Sequence, residues 1–296
     1  MTTSPVLRLR GRVLELGARP LLMGIVNATP DSFSDAGDHP TLEARVERAA
    51  ELVVAGADLI NVGGESARGD RPGVSVEEEI ERVVPLVERI VRLGAAVSVD
   101  TYKPGVADAA IAAGAVLVND VSGLRDVALA DLCARTGAGL VVMHTLVRPK
   151  GTLLDPGSYD DVAADVAAFL RERMAVAIAH GVEPEQLLLD PGPDFSKTPA
   201  QTVAVLRGLG ELHALGRPIM LAISNKDFVG ALTGRAPRER LAGTLAAVAY
   251  GVEAGAHILR VHEVAAVADF LRVRAALRGE YELAPYEGLT PDRYPD

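Results

Sequence analysis

Eight short apolar runs, each followed by a segment with helical spacing, most constrain how this chain can fold. They lie at 21–26, 58–62, 96–99, 115–118, 139–143, 187–189, 218–223 and 258–261. Most are almost continuously hydrophobic rather than alternating, which is typical of parallel strands covered on both faces. Residues 76–93 carry the clearest helical pattern, with apolar side chains on one face and glutamates mainly on the other. The pattern predicts repeated strand–helix units around a parallel sheet.

A short repeat marks the ends of four of the predicted helices. Each copy follows a helix and precedes a strand: Ala55-Gly56-Ala57, Ala113-Gly114-Ala115, Thr136-Gly137-Ala138 and Ala254-Gly255-Ala256. Glycine fits there because the residue that follows a helix usually needs a positive φ. The repeat and the lack of a Ser- or Pro-rich linker favour a closed (β/α)8 TIM barrel over an open doubly wound sheet.

We expect a single domain over residues 1–296, with the barrel covering about 20–280. Residues 6–16 alternate apolar and polar around Gly11-Arg12, which predicts a short β-hairpin that plugs one end of the barrel. Residues 281–296 are rich in Tyr, Pro and Glu, and we expect them to be irregular.

Composition limits the classes of partner. The 30 Lys and Arg residues against 40 Asp and Glu give a net charge of −10, which weighs against nucleic-acid binding. No stretch approaches the ~20 apolar residues of a membrane span, and residues 1–17 have no signal-peptide core. We therefore expect a cytoplasmic protein that contacts neither nucleic acid nor membrane. The only cysteine, Cys133, is expected to be a buried, unreactive thiol.

Polar residues follow every one of the eight runs. In a barrel these positions converge on one face, and barrel enzymes keep their active sites there. Charged and amide groups directly after buried strands lose hydration unless they meet a partner or a ligand. The residues are Asn27, Glu65 and Ser66, Asp100, Asn119 and Asp120, His144, Asp190, Ser224 to Lys226, and Arg260 to Glu263. We expect all eight strand ends to contribute to one site.

Four of these residues suit a planar heterocycle. Asp100, Asn119, Asp190 and Lys226 combine two carboxylates, an amide and a cation, a set that can bind the donor–acceptor edge of such a ring. The chain has no P-loop and no Gly-x-Gly-x-x-Gly helix opening, so nucleotide binding of those kinds is not expected.

A second group suits a phosphate. Arg260 and His262 follow the last strand, and a closed barrel places Asn27 beside them. Two cations in this position suit a phosphate or pyrophosphate, because the loops after strands seven and eight usually bind anions in this fold. Asn27 could then contribute to a Mg²⁺ site, since Mg²⁺ prefers a few oxygen ligands together with phosphate and water.

At these residues the chain resembles the dihydropteroate synthases, over about residues 20–265. The most specific stretch is 23–35, MGIVNATPDSFSD. Shorter matches follow in the family's order: Gly63-Gly64-Glu65-Ser66, Ser98-Val99-Asp100-Thr101, 119–123, Asp190-Pro191-Gly192 and Arg260-Val261-His262. Members of this family are barrels that condense (7,8-dihydropterin-6-yl)methyl diphosphate with 4-aminobenzoate and release pyrophosphate in folate biosynthesis.

The resemblance implies a role for each matching position. The pterin would be held by Asp100, Asn119, Asp190 and Lys226, and the pyrophosphate by Asn27, Arg260 and His262, with Mg²⁺ on Asn27. The implied catalytic residues are Asn27, Asp100, Lys226, Arg260 and His262. Further implied substrate contacts are Ser66, Arg68, Ser224 and Phe195. Family members often dimerise through their last helices, which the apolar face of 265–277 would permit, so a homodimer is expected.

The chain departs from the family pattern on the side of the aromatic amine. The changes are Ala67 for a threonine and Gly69 after Arg68, Thr145 after His144, Pro193 and Asp194 in a loop usually rich in glycine, and Asn225 for an arginine. Asp194 adds a negative charge near the expected position of the benzoate. The turn from Ser224 to Asp227 also resembles divergent actinobacterial paralogues of the synthase.

Two alternatives to an active synthase follow from these residues. One is a paralogue that binds the pterin but has lost or altered the reaction with 4-aminobenzoate. The other is a pterin-binding methyltransferase domain that passes a methyl group to a corrinoid protein. Such a domain would share the barrel and the pterin edge but would not need Arg260-Val261-His262.

Overall fold

A two-stranded hairpin precedes eight parallel strands in the computed structural model, which describes residues 6–17, 19–29, 41–66 and 71–284. The strands are β1 (Val6–Leu9), β2 (Arg12–Glu15), β3 (Leu21–Asn27), β4 (Leu59–Gly63), β5 (Ala96–Asp100), β6 (Leu117–Asp120), β7 (Gly139–Met143), β8 (Leu187–Asp190), β9 (Met220–Leu221) and β10 (Ile258–Val261). The order around the sheet is β8-β7-β6-β5-β4-β3-β10-β9, and a parallel bridge between Leu189 and Ile219 joins its two ends. The predicted TIM barrel with an N-terminal hairpin is confirmed.

Helices surround this barrel on the outside. They are α1 (Leu42–Val54), α2 (Val76–Arg92), α3 (Pro104–Ala112), α4 (Ala128–Thr136), α5 (Val162–Ala179), α6 (Pro199–Arg207), α7 (Leu209–His213), α8 (Asp227–Thr233), α9 (Leu241–Glu253) and α10 (Val264–Leu277). Helix α2 agrees with its predicted span to within one residue. Ser75 caps its N-terminus, since the Ser75 hydroxyl accepts from the N–H of Glu78 at 3.1 Å.

The glycines in the four copies of the helix-ending repeat all have the predicted positive φ. Gly56 and Gly114, for example, have φ of +104° and +112°. Strand β6 begins at Leu117 rather than at residue 115, because Ala115 is still hydrogen-bonded to helix α3. The N–H of Ala115 donates to the carbonyl of Ala110 at 2.9 Å, so this residue still belongs to the end of α3.

The hairpin closes the N-terminal end of the barrel. Leu7 and Leu9 are fully buried, and they pack in a cluster with Leu16, Met23 and other side chains from the starts of the strands. Gly139 leaves the space that Leu9 fills, since a Cβ there would lie 2.3 Å from its Cδ2 atom. The predicted plug is confirmed, and it leaves the opposite end of the barrel for the site.

Cys133 and the first residues of the C-terminal tail lie outside the barrel interior and agree with their predictions. Cys133 is buried, and burial raises the pKa of its thiol to about 12, as expected for an unreactive cysteine. Residues 281–284 form neither helix nor strand, while the rest of the tail lies outside the described residues. No helix in the described part of the chain is both long and apolar enough to cross a membrane.

Candidate active site

A pocket opens where the barrel strands end, on the face opposite the hairpin. Its lining includes the residues predicted from the sequence to bind a heterocycle and an anion: Asp100, Asn119, Asp190, Ser224, Lys226, Arg260 and His262. A second pocket beside it, lined by Ser66 and Lys150 among others, shares Asp100, Val121 and Phe195 with the first. Two adjoining compartments therefore meet at Phe195.

The floor of the first pocket carries buried acceptors at the ends of β6 and β8. Asn119 and Asp190 are each only 2% exposed. Asp190 accepts from the N–H of Gly192 at 2.8 Å, and burial raises the pKa of its carboxyl although Lys226 and Arg260 oppose that shift. Among the described residues, Oδ1 of Asn119 has no hydrogen-bond partner. A buried oxygen without a partner suits an N–H donor on a ligand.

Asp100 is held from two sides at the end of β5. Its Oδ2 atom accepts from Nη2 of Arg260 at 2.8 Å and from Nδ2 of Asn61 at 3.0 Å. Asn61 lies fully buried inside the barrel, one strand away from Asp100. Sequence reasoning gave Asn61 no role, because its contact depends on the register between β4 and β5.

Lys226 follows β9 and faces the ring of Phe195. Its Nζ atom lies 4.6 Å from the ring centroid and donates to the carbonyl of Pro193 at 3.0 Å. Burial lowers the pKa of this ammonium, while Asp194 and Asp190 act in the opposite direction. The cation is thus fixed between the buried floor and the mouth of the pocket.

His262 is oriented by a chain of two hydrogen bonds after β10. Ser224 donates its hydroxyl hydrogen to Oε2 of Glu263 at 3.1 Å. The Ser224 oxygen therefore accepts from Nδ1–H of His262, at 2.9 Å, which fixes the tautomer of the neutral ring. Asn27 lies at the end of the adjacent strand β3, half-buried and outside both pocket linings.

Glu263 also holds the turn that carries Lys226. Its Oε1 atom accepts from Nδ2 of Asn225 at 2.9 Å, and Asn225 has a left-handed φ of +59°. Asparagine tolerates this region better than most residues, and Thr244 accepts from its backbone N–H at 3.1 Å. Glu263 was noted in the sequence only as part of the last strand end, and its connecting role was missed.

The loop after β8 has side chains where the family pattern has glycine. Asp194 and Ser196 have φ of +64° and +53°, so these positions keep the left-handed backbone that glycine adopts easily. The Ser196 hydroxyl lies 3.1 Å from that of Thr145 and accepts from the N–H of Leu146 at 3.2 Å. Thr145, one of the departures from the family pattern, and Ser196 therefore contact each other across two loops.

The expectation that every strand-end group belongs to the site is wrong for His144 and Asp120. His144 is 1% exposed and packs on Phe169 of α5, with Nδ1 2.8 Å from the buried Nζ of Lys197. Burial, followed by Lys197, lowers the pKa of its imidazole to about 2. Asp120 accepts from two backbone N–H groups of its own loop, at 2.6 and 2.7 Å. Both side chains stabilise loops rather than line the pocket.

Lysines that sequence reasoning did not single out organise the loop after β4. Lys103 contacts the buried carboxylate of Glu65 and lies 2.7 Å from that of Glu79. Lys150 lies 3.0 Å from Glu65 and also donates to the carbonyl of Ser66 at 3.0 Å. These contacts position Ser66 at the rim, whereas Arg68 and Ala67 lie outside the described residues.

The side chains at this end do not form a cage for a metal. Within residues 6–17, 19–29, 41–66 and 71–284, no group of three or more His, Cys, Asp or Glu side chains could hold an ion. The amide of Asn27 would supply one oxygen ligand, and Mg²⁺ commonly combines one or two protein oxygen ligands with substrate phosphates and water. The residues fit an ion bound mainly through a phosphorylated ligand.

Comparison with known proteins agrees with this geometry. Residues 23–262 match the family of pterin binding enzymes. The dihydropteroate synthase of Escherichia coli strain K12 is 40% identical over 279 residues, which cover 94% of this chain and 98% of that protein. The chain belongs to the dihydropteroate synthase family. The family resemblance seen in the sequence is thereby confirmed.

Solved structures of the family have the same fold as this chain. A Xanthomonas albilineans dihydropteroate synthase with 4-aminobenzoic acid has a TM-score of 0.84 and 45% identity, covering 93% of this chain and 99% of that one. The synthase of the same organism in complex with 7,8-dihydropteroate has a TM-score of 0.81 and 44% identity, covering 92% and 98%.

Proposed function

We propose that this chain condenses (7,8-dihydropterin-6-yl)methyl diphosphate with 4-aminobenzoate to give 7,8-dihydropteroate and pyrophosphate. Family membership makes the chain a dihydropteroate synthase, a transferase of folate biosynthesis. The neighbouring synthases solved with 4-aminobenzoic acid and with 7,8-dihydropteroate support these small molecules as its substrate and product.

The buried acceptors at the pocket floor carry this proposal. A pterin presents an amino group and a ring N–H side by side, both of which are donors. The carboxylate of Asp190 can accept from two donors, and the unpartnered Oδ1 of Asn119 can accept another. Asp100 and Lys226 complete the pterin site at the open side of the ring.

Arg260 and His262 bind the diphosphate at the other side of the pocket. In the reaction the bond from the methylene carbon to the diphosphate oxygen breaks, and the amine nitrogen bonds to that carbon and then loses a proton to water. Because the pterin ring stabilises positive charge on the methylene, no strong base is required. The guanidinium of Arg260 and the imidazole of His262 stabilise the charge on the departing pyrophosphate, and the pocket aligns the amine with the carbon.

Mg²⁺ accompanies the diphosphate in this proposal, with Asn27 as its protein ligand. The ion would neutralise part of the charge on the leaving group. The amide oxygen of Asn27 at the end of β3, beside the strand of Arg260 and His262, supports this assignment.

The acceptor amine enters at the mouth of the pocket, between Phe195 and the turn that contains Asn225 and Lys226. Phe195 lines both compartments and offers a flat face to an aromatic ring. Ser66 and Ser224 lie at the edges of this region, and Arg68 follows Ser66 in the sequence.

The assembly and location of the enzyme are also proposals. Helix α10 exposes Val273 and Leu277, at 59% and 84%, along a groove that also includes Phe270. We propose that two copies pair through this face in the cytoplasm, which sedimentation equilibrium can test. A monomer at micromolar concentration would contradict the pairing.

The central assay measures pyrophosphate release from the pterin diphosphate, with and without 4-aminobenzoate. We expect release that depends on the acceptor, together with 7,8-dihydropteroate identified by mass. Tight pterin binding without acceptor-dependent release would contradict the proposed reaction. That result would favour the alternative of a paralogue with an altered second substrate.

A further inference from the structure

Asp194 places a fixed carboxylate at the mouth of the pocket. It is part of the pocket lining, together with Phe195 and Asp227. Its Oδ2 atom accepts from the N–H of Asp227 at 2.6 Å, and its Oδ1 atom accepts from the hydroxyl of Thr202 at 3.0 Å. Its own N–H donates to Thr202 at 3.0 Å. With both oxygens bound, the carboxylate cannot swing away from the pocket.

The cations near Asp194 are already engaged. Lys226 lies over Phe195 and donates to Pro193. Arg240 lies 3.1 Å from the carboxylate of Asp227 and donates to the carbonyl of Asn225 at 2.8 Å. Arg240 therefore neutralises Asp227, whereas the hydrogen bonds that Asp194 accepts come from neutral donors and the nearby Lys226 donates elsewhere.

A third carboxylate, that of Glu263, contacts the turn with Asn225 from outside the pocket lining. Glu263 accepts from Ser224 and Asn225, which are neutral donors. An acceptor amine that brings a carboxylate to this side meets like charge, whereas a neutral substituent does not. Like charges at a few ångströms across a partly hydrated pocket repel each other measurably, and salt weakens the repulsion.

We propose that Asp194 is a specificity-determining residue for the acceptor, which weakens binding of aromatic amines whose far end is a carboxylate relative to amines whose far end is neutral. This inference rests on the proposed acceptor site beside Phe195. It concerns the choice among acceptors and adds no chemical step to the condensation.

The test compares 4-aminobenzoate with its neutral analogue 4-aminobenzamide on the wild type and on Asp194→Asn. Asparagine removes the charge, tolerates the left-handed φ, and can still accept from Asp227 while the Thr202 hydroxyl turns to accept from its amide. We expect KM for 4-aminobenzoate to fall about fivefold, which corresponds to ~1 kcal/mol. We expect KM for 4-aminobenzamide to change less than twofold.

Asp194→Gly provides a second variant, because glycine also keeps the backbone but removes the hydrogen bonds. If charge is the cause, both variants discriminate between the two acceptors, and the wild-type penalty shrinks in 0.5 M salt, an ionic strength at which exposed charges are strongly screened. Glu88→Gln on the exposed side of α2 controls for net charge and should leave both KM values unchanged.

The outcomes separate this inference from the proposed function. If Asp194→Asn changes KM for both acceptors equally, or raises KM for 4-aminobenzoate, the role of Asp194 is wrong while the synthase activity stands. If the wild-type enzyme releases no pyrophosphate with 4-aminobenzoate and none with 4-aminobenzamide, both proposals are contradicted.

Discussion

The proposed pterin half of the pocket is built from side chains at strand ends, whereas its proposed acceptor half is built from loops. Asp100 and Asp190 end β5 and β8, and Asn119 is the next-to-last residue of β6, so the register of the barrel fixes where they point. Asp194 and Asn225 lie beyond the strands and depend on side-chain hydrogen bonds to keep a left-handed backbone. The barrel constrains the first half, and local contacts permit change in the second.

The departures from the family pattern fit this difference. Ala67, Thr145, Asp194 and Asn225 all follow strands rather than end them. A loop can accept a new side chain if that side chain finds hydrogen-bond partners, as Asp194 does with Thr202. A strand end cannot change without altering the group presented to the pterin.

The largest effect is expected from Asp190→Asn in the pterin half. An amide keeps one acceptor but turns an NH₂ group toward the donor edge of the pterin, so two charge-assisted hydrogen bonds are lost. We expect pterin affinity to fall about 100-fold, equivalent to ~2.7 kcal/mol. Isothermal titration calorimetry with a dihydropterin measures this loss.

The fold should survive that substitution. Burial raises the pKa of the Asp190 carboxyl because desolvation penalises its charge, and a neutral amide does not carry that cost. Asp108→Asn on the exposed surface of α3 is the matched control and should bind the pterin like the wild type. An affinity within threefold of wild type for Asp190→Asn would remove Asp190 from the pterin site.

A smaller effect is expected at Glu263, which connects the two halves. Its carboxylate accepts from both Ser224 and Asn225, and a glutamine can accept only one of these two hydrogens. Glu263→Gln should therefore loosen His262 and the Lys226 turn and lower kcat about tenfold. Affinity for a dihydropterin without the diphosphate should fall only about twofold, because the buried acceptors Asn119 and Asp190 keep their positions and only the contact of Lys226 weakens.

Glu172→Gln, an exposed substitution on α5, is the control for Glu263→Gln. A Glu263→Asp variant should recover part of kcat, because it keeps the charge on a shorter side chain. If kcat stays at the wild-type value in Glu263→Gln, the positioning role is wrong.

The sequence predicted that Asp100, Asn119 and Asp190 meet in one pocket because each of them directly follows a hydrophobic run. Periodicity locates such a run, and barrel geometry then brings the ends together. The first residues of the strands were predicted less accurately. Ala115 belongs to an apolar run that predicts a strand, but its N–H donates to the carbonyl of Ala110 at the end of α3. Strand β6 therefore begins two residues later, at Leu117.

The supporting contacts could not be predicted in the same way. Lys150 binds Glu65 from a loop 85 positions away in the sequence, as the two residue numbers show, and no local pattern encodes such a pair. His144, in contrast, was predicted to contribute to the site but does not line the pocket. It follows a strand like the others, yet its ring turns toward Phe169 and Lys197 in the surrounding layer, because alternate strand residues face opposite sides.

Two asparagines allow the most direct test of the difference between the halves. Asn119 lies within β6, one residue before its end, in the proposed pterin half, and Asn225 lies in the turn after β9 in the proposed acceptor half. Asn119→Ala removes the unpartnered buried oxygen, while Asn225→Gly removes the other amide and keeps the left-handed backbone.

The decisive measurement is the Kd of both variants for the pterin diphosphate, by calorimetry in the absence of acceptor. The predicted result is at least a tenfold weaker Kd for Asn119→Ala and a Kd within threefold of wild type for Asn225→Gly. Equal losses in the two variants, or a larger loss for Asn225→Gly, would contradict a pterin site built from strand ends and separate from the acceptor loops.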